Sequence, residues 1–391
     1  MLDRLAPQQP DALLALIKLF EADPRSDKID LGVGVYRTGA GETPVFDAIK
    51  AAERKLVAEQ DSKAYLGPEG DMGFVRALMP TVFGSDPTRK GRIDGMQTPG
   101  GTGAVRLALA LAKRAGATRV LMGVPSWPNH AQIAADLGLE LVPFDHAAPD
   151  GSADLDAVRA VLAGAGERDV LLLHGCCHNP TGIDYTDGQW DEIAAMLGEG
   201  PVLPVIDLAY QGLGRGLAQD AYGARAVLAR VPRALVAYSC DKNFGLYRDR
   251  VGALYVQASA GEVLDRIVAN ALNLARATWS MPPDHGAAAV RLVLRDEDLA
   301  EQWRDELNEM RTRIQRVRAS LAAKGTVGAL DLKPLGRQFG MFAMLPLDKE
   351  QIQVLRADHG IYMAGSGRIN IAGLTTGNID KFTRALAQVS A

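Results

Sequence analysis

Five short stretches hold residue types that do chemistry. Pro99-Gly100-Gly101-Thr102-Gly103 precedes the helical run Ala104 to Ala115. Free backbone N–H groups and the Thr102 hydroxyl at such a helix start form a cradle for phosphate. It is not a dinucleotide fingerprint, because Arg106 stands where a third glycine would be needed, and no Walker lysine motif occurs. The other four are Pro125-Ser-Trp-Pro-Asn-His130, His174-Gly-Cys-Cys-His-Asn-Pro-Thr-Gly182, Asp207-Leu-Ala-Tyr210 and Cys240-Asp-Lys-Asn-Phe-Gly245.

Taken singly, each has an ordinary explanation. A lysine after a strand is usually solvated, an aspartate there caps the next helix, a tryptophan is core, and Asn-Pro is a turn. His174, Cys176, Cys177 and His178 also suggest zinc. Alternation along an extended segment sends Cys177 away from the others, however, and tetrahedral sites draw ligands from two separated pairs, so no metal is expected.

Joint placement changes the weighing. Each of the last four stretches comes at the end of an apolar run of strand length: Arg119 to Gly123, Val170 to His174, Val202 to Ile206 and Leu235 to Ser239, with a further strand expected at Gly252 to Val256. Helical periodicity falls between them, as in Asp154 to Leu162 and in Thr186 to Leu197, where Trp190, Ile193, Ala194 and Leu197 share a face. Strand, turn and helix in alternation mean an α/β fold with a largely parallel sheet. Ligands bind such sheets beyond the carboxyl ends of the strands. If the strands are parallel and adjacent, Trp127, Asn179, Asp207 with Tyr210, and Lys242 meet on one rim.

A charged helix from Leu299 to Leu321, with Trp303, Leu307, Met310, Ile314 and Val317 on one side, leads to a C-terminal region. There strands are expected near Gly340 to Leu345 and Arg368 to Ala372, and helices around Lys349 to Asp358 and Ile379 to Val389. The length of 391 residues allows two domains. With 43 basic and 47 acidic side chains there is no field to gather nucleic acid or an anionic membrane. Met1 to Phe20 carries Asp3, Asp11 and Lys18 and has no cleavage site, unlike a secretory leader. No apolar run is long enough to span a bilayer. Three cysteines do not build a disulfide framework, so a cytoplasmic location is expected.

The chain strongly resembles the class I aminotransferases of the aspartate and aromatic amino acid branch. The stretches above carry the resemblance, joined by Leu31-Gly-Val-Gly-Val-Tyr36, Thr98-Pro-Gly-Gly-Thr-Gly-Ala104, Arg250-Val-Gly252 and Gly367-Arg-Ile-Asn-Ile-Ala-Gly373. It implies the pyridoxal-phosphate-dependent transferase fold type I, with a large domain around a mainly parallel central sheet flanked by helices and a smaller α/β domain. The corresponding division is an N-terminal arm and first part of the small domain at 1–43, a large cofactor-binding domain at 44–310, and the rest of the small domain at 311–391. It also implies a homodimer with shared active sites, acting on amino acids and 2-keto acids.

Residue by residue, the resemblance makes Lys242 the amine that condenses with the cofactor aldehyde and then shuttles a proton. Asp207 faces the ring nitrogen, Tyr210 and Asn179 bond the phenolic oxygen, and Trp127 stacks on the ring. Gly101, Thr102, Ser239 and Arg250 hold the phosphate, with Tyr65 of Ala64-Tyr-Leu-Gly67 reaching it from the partner subunit. Arg368 grips the substrate α-carboxylate, beside Gly34, Trp127 and Asn179. Arg276, from the other subunit, meets a side-chain carboxylate.

Two positions depart from the family. Val124 replaces a common aspartate with little expected consequence. Asp241 replaces a small hydroxyl residue before the lysine, and strand-like alternation would turn it away from the cofactor, paired with Arg248 or Arg250. The implied activity is transamination between an aromatic amino acid or aspartate and 2-oxoglutarate. The alternatives are a strict aspartate aminotransferase, a lyase or decarboxylase using the same cofactor, and a non-catalytic domain retaining the fold.

Overall fold

Unbroken apolar runs become strands where both faces of a sheet are covered. In the computed structural model, which describes residues 1–7, 12–85, 91–259 and 261–391, five such runs and two more polar segments form one seven-stranded sheet. The strands are β1 (Ile93–Pro99), β2 (Arg119–Val124), β3 (Glu140–Asp145), β4 (Asp169–His174), β5 (Leu203–Leu208), β6 (Ala234–Ser239) and β7 (Val251–Gln257). Every residue of β6 and β7 is buried. Asp11, part of the reading of the first twenty residues, lies outside the described residues.

The five expected strands are present with ends moved by one or two residues. The two unexpected ones have composition to blame. β1 reads Ile-Asp-Gly-Met-Gln-Thr-Pro, and β3 contains Pro143. Proline is tolerated in β3 because that strand lies at the sheet edge, where one N–H has no partner to lose.

The spatial order is β1-β7-β6-β5-β4-β2-β3. β6, β5, β4, β2 and β3 are parallel neighbours. β7 is antiparallel to both β1 and β6, so β1 ends at the same edge as the parallel strands. Between β2 and β4 the chain reverses its winding, the switch point at which ligand crevices open.

Helices follow their local signals. Thr186 and Gln189 make a capping box for Asp187–Glu199, with Trp190, Ile193, Ala194 and Leu197 buried as the periodicity predicts. The long helix is Glu297–Ala322, with Trp303 stacked on Phe244 at 4.4 Å and its indole N–H donating to the Asn243 carbonyl at 2.7 Å. The glycine helix begins at Gly100, not at Ala104: the glycines themselves form its first turn.

The chain divides into two units, Pro44–Thr312 and Met1–Thr43 with Arg313–Ala391. The second interleaves both ends of the sequence. Ile29–Asp30 pairs in parallel with Ile361–Tyr362, and Phe342–Met344 pairs antiparallel with Arg368–Asn370. The Asn370 amide donates to the carbonyls of Val33 and Val35 at 2.6 and 2.7 Å, fixing that segment.

Gly252 in β7 is the tightest point near the rim. A Cβ there would lie 2.5 Å from the Gly100 carbonyl carbon and 2.6 Å from the Tyr238 oxygen. Both are backbone atoms and neither can rotate aside. Gly252→Ala is expected to lower stability by about 1–3 kcal/mol, read as a lower denaturant midpoint with unchanged slope.

Candidate active site

β1, β2, β4, β5 and β6 all end at one edge, and β7 starts there because it runs the opposite way. Its register puts Val251 beside Pro99 and Gly252 beside Ser239. The Gly100–Thr102 turn, Ser239 and Arg250 therefore converge. Pro99, the residue before the helix Gly100–Arg114, makes no side-chain cap, leaving the first-turn N–H groups for another acceptor. A Cβ on Gly100 would meet the Arg250 guanidinium at 2.6 Å, and one on Gly101 would meet Ser239 Cβ at 2.8 Å. Only glycine leaves this cradle open. Arg250 itself has φ 56°, a left-handed conformation that strains a residue with a Cβ. Strain of that kind clusters at functional sites.

Lys242 follows β6 and is half-buried, its amine 5.1 Å from the centre of the Tyr210 ring. Burial pushes its pKa down, and the nearby Asp241 and Asp207 oppose that shift. Tyr210 and Asn179 meet, the Asn179 amide donating to the Tyr210 hydroxyl at 3.2 Å. Asp207, at the end of β5, is 4% exposed. Its Oδ2 bonds His130 Nε2 at 2.9 Å, while its Oδ1 is buried without a hydrogen-bond partner. Trp127, half-buried, leads the helix Pro128–Asp136, with its ring 5.1 Å from that of His130 and nearly perpendicular.

His130 extends Asp207 into a layer that sequence reasoning missed. Its Nδ1 lies 3.1 Å from Ser126 Oγ, and its ring packs on His174, which touches His178, which stacks on His146 at 3.5 Å. Burial lowers the pKa of His174 and His178, and that of His146 to about 4, leaving these three imidazoles neutral at ordinary pH. The signal was available in part, since three segments at strand ends supply the four histidines, but their stacking is not a property of spacing.

The zinc reading also resolves. Among the described residues, His174, Cys176, Cys177 and His178 do not form one donor set; the groupings are His130 with His174 and Asp207, and Cys176 with Cys177 and Asp220. Asp220 already accepts from the backbone N–H groups of Gly212, Gly214 and Arg215. Burial pushes the Cys176 thiol up to about 12.

Two further expected residues lie on the surface. Tyr65 is 95% exposed, and Arg276 is exposed with its guanidinium donating to Ser280 Oγ at 2.6 Å. Gly34 and Arg368 belong to the other unit. There Arg368 donates to the Gly32 carbonyl at 2.9 Å and lies 4.6 Å over the Phe342 ring, and a Cβ on Gly34 would meet that same ring at 3.0 Å. Phe342 thus links the two, a role no motif indicated.

Asp241 pairs with Arg250, one of the two expected cations, through Nη1–Oδ2 at 2.5 Å. The same Oδ2 lies beside the start of the glycine helix, 3.3 Å from where a Cβ on Gly100 would stand. The segment after β6 is a turn, so strand alternation does not extend to it.

A family model described as aminotransferase class I and II matches residues 26–386. The chain belongs to that family. It is 50% identical over 377 residues to the tyrosine aminotransferase of Rhizobium meliloti, covering 96% of this chain and 97% of the relative. It is 41% identical over 397 residues to the aspartate aminotransferase of Escherichia coli, covering all of both. A solved aromatic-amino-acid aminotransferase from Burkholderia pseudomallei, covalently bound to pyridoxal phosphate, superposes with a TM-score of 0.94 at 33% identity, over 99% of this chain and 98% of that one.

Like its family, this aminotransferase uses pyridoxal 5′-phosphate. The residues fit the group. The orphaned Asp207 oxygen has no polar partner, the glycine helix starts without a side-chain cap, and Lys242 offers an amine.

Lowering the pKa of a buried lysine carries a stability penalty. Below the ordinary lysine value the unfolded chain binds the proton more readily than the folded one, so this contribution opposes folding and fades as pH rises toward 10.5. Lys242→Met is therefore expected to raise the denaturation midpoint of the cofactor-free chain at pH 7, with the gain shrinking by pH 10. An unchanged gain across that range would assign it to packing.

Proposed function

We propose that this enzyme transfers amino groups between an aromatic amino acid or aspartate and 2-oxoglutarate, with Lys242 as the cofactor-bearing and proton-moving residue. The observation that carries the reading is the amine of Lys242, its pKa lowered by burial, on the same strand-end rim as Asp207 and the Tyr210–Asn179 pair. The unit Pro44–Thr312 is then the cofactor-binding domain.

The bound cofactor supplies a carbonyl to hold the substrate amine and a cationic ring to withdraw electrons from Cα. Lys242 Nζ, once neutral, removes the proton from one carbon and returns it to another. Asp207 Oδ1 holds a proton on the ring nitrogen, and His130 orients the carboxylate through Oδ2. Tyr210 and Asn179 donate to the phenolic oxygen. Trp127 covers the ring. Gly101, Thr102, Ser239 and Arg250 hold the phosphate, with Tyr65 from a partner subunit adding its hydroxyl. Arg368 takes the α-carboxylate in a two-pronged bond beside Gly34.

A homodimer follows from this reading, because Tyr65 and Arg276 are exposed within one chain and act across an interface. The broad substrate range is supported by relatives named for tyrosine and for aspartate at comparable coverage. The strict aspartate enzyme is the second reading, favoured by Arg276 alone. A cytoplasmic location accords with three free, buried cysteines, and no helix among the described residues is long and apolar enough to cross a membrane.

Borohydride reduction of the holoenzyme followed by peptide mapping is expected to leave the cofactor mass on Lys242, and on no peptide of Lys242→Ala; the label on another lysine would overturn the assignment. Arg276→Ala is expected to reduce kcat/KM for aspartate by about 10–100-fold, the worth of a charge-assisted hydrogen bond, while phenylalanine turnover changes much less. Equal losses for both donors would remove Arg276 from specificity.

A further inference from the structure

Asp241 puts a carboxylate where the cradle receives an anion. It is 4% exposed, and its backbone N–H donates to Ser239 Oγ at 3.2 Å. Its Oδ2 takes Arg250 Nη1 and stands at Gly100, the first residue of the uncapped helix. Its Oδ1 is buried with no hydrogen-bond partner. A carboxylate oxygen left in that condition is costly unless another group completes it.

Among the described residues, Arg250, Lys242 and Cys240 are the charged and titratable groups seen against Asp241. Arg250 is its ion-pair partner. Lys242 and Cys240 are its neighbours in the chain; burial lowers the pKa of the first and raises that of the second, keeping the thiol neutral. The helix turn Gly100–Gly103 brings no charged side chain, only its partial positive end of roughly half a charge.

A phosphate monoester arriving here carries about −1.5 to −2 at pH 7. Arg250 and the helix end together fall short of that charge plus an ionised carboxylate, and burial of Lys242 works against its adding a full positive charge. Two anions confined together are relieved when one proton is shared between them.

We infer that Asp241 makes phosphate binding proton-coupled: the cofactor's phosphate enters with uptake of one proton, held between the Asp241 carboxylate and a phosphoryl oxygen as an O–H···O bond. The proton comes from solvent, and no other bond is made or broken. The inference rests on the cradle being the phosphate site. It gives this chain a cofactor affinity that strengthens toward acid, by about tenfold per pH unit where a full proton is taken up. A small hydroxyl residue at 241 would confer no such dependence.

Pyridoxamine 5′-phosphate is the probe, since it lacks the carbonyl that condenses with Lys242. The cofactor-free full-length chain is titrated calorimetrically at pH 8 in two buffers of different ionisation enthalpy, alongside Asp241→Ser and Asp241→Asn. The wild type is expected to take up about one proton more than either variant, and to lose affinity between pH 7 and 8 by about tenfold relative to them. Asp241→Asn keeps the side-chain size and stands in if the serine variant does not fold. Equal proton uptake by all three proteins overturns the proton-sharing role and leaves the cradle intact, because binding is still seen. Absence of binding in the wild type overturns the cradle and the inference with it.

Discussion

One strand that runs against its neighbours organises the site. β7 lies between β1 and β6 and is antiparallel to both. Without that reversal, Arg250 would enter the sheet at the opposite edge from Gly100 and Ser239. The close approach is possible because residue 252 has no side chain: its Cα sits against the Gly100 and Tyr238 backbones. Strand direction, an absent Cβ and a left-handed Arg250 together bring the Gly100–Thr102 turn to Ser239 and Arg250, more than a hundred residues later in the chain.

Around that cradle the protein sets up opposed electrostatics that favour chemistry over stability. Lys242 is placed where burial disfavours its charged form, and Asp207 has one oxygen engaged by His130 and the other buried without a hydrogen-bond partner. The stacked His174, His178 and His146 are kept neutral, so they add no competing charge behind Asp207. Asp241 sits at the other end, against Arg250. The two carboxylates flank the lysine in sequence space very differently: Asp207 lies on a preceding strand, Asp241 on the adjacent residue.

The second unit shows the same economy on a smaller scale. Asn370 fixes the Val33–Val35 segment, and the Phe342 ring lies against both Gly34 and Arg368. An arginine held over an aromatic face by a backbone carbonyl keeps its fork oriented at lower entropic loss.

Much of this was legible before any coordinates. The apolar runs of β2, β4, β5, β6 and β7, the periodicity of Asp187–Glu199, and the motifs at the strand ends are local properties, set by side-chain size, polarity and turn chemistry within a few residues. Lys242, Asp207, Asn179 and Tyr210 could be assigned to one rim on those grounds. The rest depended on pairing between distant segments. β1 was hidden by its aspartate, glycine and glutamine, and β3 by its proline. The direction of β7, the histidine stack, the contact of Phe342 with Gly34 and the position of Asp241 in the anion cradle come from strand order and packing, which no local period encodes. Sequence alone determined which residues could do the chemistry; the tertiary structure decided which of their atoms face one another, because hydrogen bonding and burial are settled between segments and not along them.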